Sequence, residues 1–285
     1  MILLDLPSGE LHDNLMTKKI GLIAGSGQFP IIFSKKAGSD GFSVYAAAFI
    51  NEAEQILKEH VEAIEWMHIG QVKRLIGFFK KNGIKEAVML GAIKKTRMFS
   101  DVRPDIKAIS LVARMKSTHD DGLLSAFAGL LEKDGIMIKS STFLLPYLLA
   151  EEGCWTKRKP TRAEKSDIDL GWHIAKEIGR LDIGQCVVVC GGSVLAVEAI
   201  DGTDATIRRG GKLGNNESIM VKVCKPNQDT RFDMPAVGSQ TIITMHESGV
   251  KLLAIEAQKA VVFDKEEMVV LADRFGISIV AISGK

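Results

Sequence analysis

The sequence predicts an α/β protein in two parts: a first half built on a parallel sheet with helices on its faces, and a second, mixed α/β half. Three observations carry this. Short apolar runs alternate with helix-period segments throughout the first half, the pattern of strands joined by crossover helices. In the second half Gln185–Cys190, the pair Gly191-Gly192 and Ser193–Ile200 read as a hairpin, which brings in antiparallel pairing. Between them Glu151–Glu164 turns polar, with Gly153, Pro160 and the basic run Lys157-Arg158-Lys159. Residues 1–15 are read as an extension outside the fold, 16–150 as the first domain, 151–164 as a linker and 165–285 as the second domain.

The elements follow in order. Ile20–Ala24 is a short buried strand, Gly25-Ser26-Gly27 a turn and Phe29–Ala37 a helix. Gly41–Phe49 is a second strand. Gln71–Lys81 is apolar at 72, 75, 76 and 79, a helical period, and stops at Asn82-Gly83. Glu86–Leu90 is a third strand, Thr118–Leu131 a helix and Ile136–Ile138 a further strand. In the second half a helix over Ser166–Arg180 precedes the hairpin. A helix after the Asp201–Asp204 turn, a strand over Ser218–Cys224 and a charged loop come next. The tail reads helix (Thr241–Glu247), strand (Leu252–Glu256), strand (Ala260–Phe263), helix (Lys265–Phe275) and strand (Ile277–Ile282).

Composition narrows the function. Hydrophobic residues at 46% with 25% charged fit a globular chain able to bury a core without disulfides. Basic and acidic residues number 37 and 35, a net charge of +2, so no basic face argues for nucleic acid. Cys154, Cys186, Cys190 and Cys224 form no C-x-x-C pair, and the last three lie in apolar runs, as buried thiols of a reducing cytoplasm would. The start of the chain lacks the basic and long apolar regions of a signal peptide, and no run reaches the length of a membrane helix.

Two segments carry chemistry. Ile20–Pro30 is strand, glycine turn and helix; Gly25, Ser26, Gly27 and Gln28 would offer amides and a helix N-terminus to a phosphate, or simply make a tight turn. Pro30 stands where a dinucleotide fingerprint has its third glycine. The second segment, Lys225–Gly238, sets Lys225, Asp229, Arg231 and Asp233 between two prolines and a glycine, a loop of fixed shape suited to placing a metal or a water against a phosphate. Asp120 and Asp121 are a second pair of carboxylates or a helix cap. Thr203 and Asp204 read equally as a hairpin exit and cap, and Arg208-Arg209 as surface or phosphate ligands.

Together these pieces resemble the UDP-2,3-diacylglucosamine pyrophosphatases of lipid A biosynthesis, the metal-dependent type distinct from the calcineurin-like phosphoesterases, whose D-x-H and G-N-H-D signature is absent. The matching segments are Gly21–Gly27 with Pro30, Asp120-Asp121, Glu177–Gln185, Val197–Ala199 with Gly202–Ala205 and Arg208-Arg209, and Lys225-Pro226 through Thr230–Pro235. The resemblance implies a Rossmann-like N-terminal domain holding the UDP part and a C-terminal domain holding the acylated sugar phosphate, with the active site between them. It implies Mg²⁺ or another divalent cation such as Mn²⁺, and attack of water at the β-phosphorus. Asp233, in Thr-Arg-x-Asp-x-Pro, corresponds to the family's key aspartate and would bind the metal or orient the water. Asp229, Lys225 and Arg231 complete the expected catalytic set. Lys222, Gln228, Thr203, Asp204, Asp120, Asp121 and Gly25–Gln28 are expected at the substrate. Where the family often has a Gly-Asn turn after the third strand, this chain has Gly91-Ala92-Ile93-Lys94-Lys95. The expected setting is cytoplasmic, peripheral to the inner membrane, with no nucleic-acid partner and a homodimer left open. A nucleotide- or NAD-binding oxidoreductase and a non-catalytic nucleotide sensor are the alternatives.

Overall fold

The computed structural model describes residues 18–93, 102–113, 120–226, 228–232 and 234–284. The first half runs β1 (Lys18–Ala24), α1 (Phe29–Ser39), β2 (Phe42–Phe49), β3 (Ala63–Met67), α2 (Val72–Lys81), β4 (Glu86–Leu90), α3 (Ile106–Ala113), α4 (Asp120–Lys133) and β5 (Met137–Ile138). Strand order is β3-β2-β1-β4-β5, with every neighbouring pair parallel. This is the Rossmann order, which reverses direction between β1 and β4 and so opens a crevice beyond their carboxyl ends. β1 is buried from Ile20 onward because helices cover both faces, hence its unbroken apolar run. Val72, Leu75, Ile76 and Phe79 of α2 are the buried face that the helical period predicts. Each contributes roughly 1.5–3 kcal/mol as an upper bound from area burial.

The second half runs β6 (Gly153–Cys154), α5 (Arg162–Arg180), β7 (Cys186–Cys190), β8 (Ser193–Val197), α6 (Thr203–Leu213), β9 (Ser218–Lys222), β10 (Ala236–Val237), α7 (Ser239–Glu247), β11 (Val250–Glu256), β12 (Val261–Val262), α8 (Lys265–Phe275) and β13 (Ser278–Ile282). Its sheet, ordered β6-β13-β11-β9-β7-β8, is mixed: β9, β11 and β13 are parallel, while β7, β8 and β6 pair antiparallel. The predicted hairpin is β7–β8, and its turn is fixed by Asp167 of α5, which accepts the Gly191 and Gly192 amides at 2.9 and 2.7 Å. α5 starts four residues before the sequence signal, at a capping box in which Thr161 Oγ1 accepts the Glu164 amide and Glu164 Oε2 accepts the Thr161 amide.

Within the polar stretch 151–164, residues 153–156 and 158 are bonded to the second sheet. β6 lies on β13, the Ile279 amide donates to Thr156, and Arg158 reaches Ser278 and Glu164 at 2.8 and 2.5 Å. Lys159 donates to the Cys154 and Thr156 carbonyls. Two of the three cations in that basic run are therefore turned to internal bonds. The halves also share an apolar core: Leu145 and Leu148 cluster with Val261 and the strands β1, β2 and β4, with Met234, Ala236 and Phe263 packed against them. Among the described residues no helix is long and apolar enough to cross a membrane.

Candidate active site

The glycine turn is built for a close backbone crossing. The Gly25 amide donates to Leu90 O and the Ser26 amide to Ala92 O, both at 2.8 Å, and the Ala92 amide returns to Ser26 O at 3.1 Å. Ser26 Oγ also donates to Ala92 O. A Cβ on Gly25 would lie 2.6 Å from Ala92 O, and one on Gly91 2.6 Å from Ser26 O, so both glycines are required where the loops after β1 and β4 meet. The amides of Gly25 and Ser26 are thus engaged within the protein, and the exposed Gly27 and Gln28 lead into the α1 N-terminus. Gln28 Nε2 donates to Asp264 Oδ2 at the start of α8, at 3.2 Å, and the Phe29 ring meets Phe263 edge-on at 5.2 Å. This turn therefore lies against the second half.

The charged loop begins where β9 ends. Lys222, buried, donates to Thr203 Oγ1 at 3.0 Å and to Ala236 O, near the end of the loop, at 2.9 Å. Thr203 in turn donates to Glu198 Oε1 at 2.6 Å, and Glu198 Oε2 accepts the Gln185 amide. Asp204 is exposed in the first turn of α6. Arg209 is tied to Asp201 and to Val197 O. Cys186 lies beside Lys222 and Glu198; burial pushes its thiol well up and the Glu198 carboxylate adds to this, so it is an inert core thiol.

The run Glu177–Gln185 is the bed for this arrangement. Gly179 faces the Lys225 backbone, where a Cβ would meet Lys225 Cα at 3.3 Å. A Cβ on Gly184 would fall 2.2 Å from Glu198 O. Between them Asp182, in a left-handed backbone at φ 56°, accepts from Lys225 Nζ at 2.6 Å in a largely buried ion pair. Gln228 Oε1 accepts the Lys225 amide at 3.0 Å and the Cys224 thiol at 3.1 Å. Gln228 therefore folds the loop back on its own start.

Asp229 and Arg231 form a clamp. Asp229 accepts the Arg231 amide, and the guanidinium contacts both carboxylate oxygens at 2.8–3.1 Å. This bonding holds the Asp229 carboxyl below its usual range although partial burial opposes it. A carboxylate with a depressed folded value contributes stability above its ordinary value and loses it as pH falls through the folded one, so the clamp persists through neutral and mildly acidic pH. Arg231 also reaches Glu132 of α4 at 3.0 Å. Asp233 and the side chains of Asp120 and Asp121 lie outside the described residues, as do Lys94 and Lys95. Among the described residues no three His, Cys, Asp or Glu side chains group as a metal set.

One buried group at the loop root escaped sequence reasoning. Glu256, at the end of β11, accepts from Lys176 at 2.6 Å, from the Cys224 amide at 3.0 Å and from Lys259 at 3.1 Å. Burial pushes its carboxyl up, and these bonds outweigh burial to hold it below the usual range. Its only signals in sequence are an acid closing a strand and a lysine on a distant helix. Glu256→Ala is expected to lower stability by about 3 kcal/mol, because it removes the carboxylate that pairs with the Lys176 ammonium and accepts the Cys224 amide, leaving Lys176 with the Cys224 carbonyl at 2.8 Å. Thermal melting checks this, and a melting temperature within a degree or two of wild type would contradict it.

These features define a two-domain α/β protein, a Rossmann-order unit joined to a mixed-sheet unit whose charged loop is fastened at the junction. The chain belongs to the LpxI family: the LpxI N-terminal domain matches residues 19–148 and the LpxI C-terminal domain residues 151–280. It is similar to the UDP-2,3-diacylglucosamine pyrophosphatase LpxI of Caulobacter vibrioides, 30% identical in an alignment 278 residues long that covers 93% of this chain and 98% of that protein. Two solved structures show weaker likeness. The Hydrogenobacter thermophilus 2-oxoglutarate carboxylase biotin carboxylase domain is 13% identical, covering 62% of this chain and 35% of that chain, with a TM-score of 0.27. The Staphylococcus aureus N5-carboxyaminoimidazole synthetase is 14% identical, covering 71% and 41%, with a TM-score of 0.26. Likeness at these scores carries no argument.

Proposed function

We propose that this chain hydrolyses the pyrophosphate of UDP-2,3-diacylglucosamine to UMP and 2,3-diacylglucosamine 1-phosphate (lipid X), a step of lipid A biosynthesis. The observation that carries this reading is that likeness to the named pyrophosphatase spans both halves, 93% of this chain. A pyrophosphate bridging two recognition elements suits a site at the junction of two units. The chemistry asks for charge neutralisation, an oriented water and little covalent work.

The roles follow from the loop. Lys222 and Lys225 supply positive charge at its root, and Arg231 supplies it further along. Both oxygens of Asp229 are committed to Arg231, so Asp229 shapes the loop and Asp233 is the carboxylate assigned to the metal or the attacking water. This donor set suits Mg²⁺ or Mn²⁺, which favour one or two carboxylates plus substrate phosphates over a dedicated protein cage. When bound, the cation neutralises charge on the phosphate oxygens. The diacyl product makes peripheral contact with the inner membrane surface part of the proposal.

The uridine end is assigned to the first half, near the α1 N-terminus, and the acylated sugar phosphate to the second. Hydrogen exchange with UMP alone is expected to slow mainly amides of the first half. Protection confined to residues 218–238 would contradict this division.

A further inference from the structure

The charged loop belongs to the second half by sequence, yet its far arm is fastened to the first. Buried Ser141 donates its hydroxyl to Thr230 O at 2.9 Å. Glu132 of α4 accepts from Arg231 at 3.0 Å, while Arg231 grips Asp229 within the loop. The Arg231 guanidinium also lies over the Phe232 ring at 4.9 Å. Phe232 packs against the core that α2, α4 and one face of the first sheet share. Met234 packs against the core on the opposite face, with β1, β2, β4 and Val261. The two neighbours of Asp233 are therefore seated on opposite faces of the first sheet.

We infer that Ser141 and Glu132 of the first half are positioning residues for the loop that carries Asp233, so that contact between the two halves sets the course of that loop. This rests on the reading of that loop as catalytic. Neither side chain needs to touch substrate. Ser141 fixes the backbone three residues before Asp233, and Glu132 completes the Asp229–Arg231 clamp from the other half. A reacting group displaced by about an ångström can lose on the order of a hundredfold in rate, so a modest loosening is visible in turnover.

The test compares Ser141→Ala, Glu132→Gln, the double variant and Ser141→Thr in the full-length protein. Two readouts are used: hydrogen exchange over residues 228–232, and steady-state kinetics on UDP-2,3-diacylglucosamine at saturating magnesium. The double variant is expected to exchange roughly tenfold faster in that segment. Its kcat should fall about tenfold with KM within about twofold, the pattern for an interaction felt mainly in the transition state. Ser141→Thr keeps the hydroxyl and should keep most of the rate. If Ser141→Ala fails to fold, Glu132→Gln, which removes a half-exposed pair, carries the same comparison. Unchanged exchange overturns the inference whatever Asp233 does. Faster exchange with unchanged kcat, alongside an inactive Asp233→Ala, overturns the positioning role and leaves the catalytic reading standing. An active Asp233→Ala removes the catalytic reading and the inference with it.

Discussion

Asp233→Ala is expected to lower kcat by about a hundredfold or more while substrate binding persists, the scale seen when one principal electrostatic group is lost. The loop should keep its course without this side chain. Its start is held by Gln228, its middle by the Asp229–Arg231 clamp, and its end by Lys222 on Ala236 O. A variant that still binds but does not turn over would trap uncleaved substrate. Asp229→Ala is the comparison: its oxygens are spent on Arg231, so losing it loosens the loop and is expected to lower turnover by less than Asp233→Ala does. Loss of turnover in Asp229→Ala with near wild-type turnover in Asp233→Ala would reverse the assignment. If both stayed active, the site would have to be sought at Asp120, Asp121 or Asp204.

Lys225→Met is expected to lower both stability and turnover, and the two losses can be separated. Removing the ammonium breaks the largely buried Lys225–Asp182 ion pair from one side, a change that costs about 3 kcal/mol. Adding Asp182→Asn removes the other charge of that pair, so the double variant should recover most of the melting temperature. If Lys225 stabilises charge on the pyrophosphate, the double variant should still be slower by at least about tenfold in kcat. Recovery of rate together with stability would make Lys225 a scaffold residue and leave charge neutralisation to Lys222, Arg231 and the cation.

Much of the architecture was legible because the signals are local. β1 from Ile20, β2 from Val44 and β4 from Ala87 are short apolar runs, which buried parallel strands require. The hairpin β7–β8 announces itself through Gly191-Gly192, and the face of α2 through its helical period. β3 escaped because it is the edge strand Ala63-Ile64-Glu65-Trp66-Met67, half-buried and without clean alternation. β6 and β10 have two residues each, too few to form a pattern, and owe their place to the strands beside them. α3 was likewise not read, since Ile106, Ile109 and Val112 turn outward and its apolar spacing does not mark a buried face.

For the site, the loop and the glycine turn were visible as segments, but their internal bonding was not. That Gly25 and Gly91 are demanded by a backbone crossing depends on two strands meeting 66 residues apart in the chain. That Ser141 and Glu132 hold the loop depends on separations of 89 and 99 residues. No spacing rule reaches that far. The run Glu177–Gln185 stood out as distinctive, and its physical reason emerges only in three dimensions: two glycines that admit Lys225 and Glu198, and an aspartate between them that holds Lys225.

The most direct test of the central claim is phosphorus NMR of UDP-2,3-diacylglucosamine incubated with the purified protein in ¹⁸O-labelled water, with and without magnesium. The expected result is magnesium-dependent replacement of the two pyrophosphate resonances by two phosphomonoesters, UMP and the sugar 1-phosphate, with the isotope shift on the sugar 1-phosphate. Label on UMP instead would place the attack on the other phosphorus. Pyrophosphate resonances that persist at full protein concentration and saturating magnesium would contradict the account.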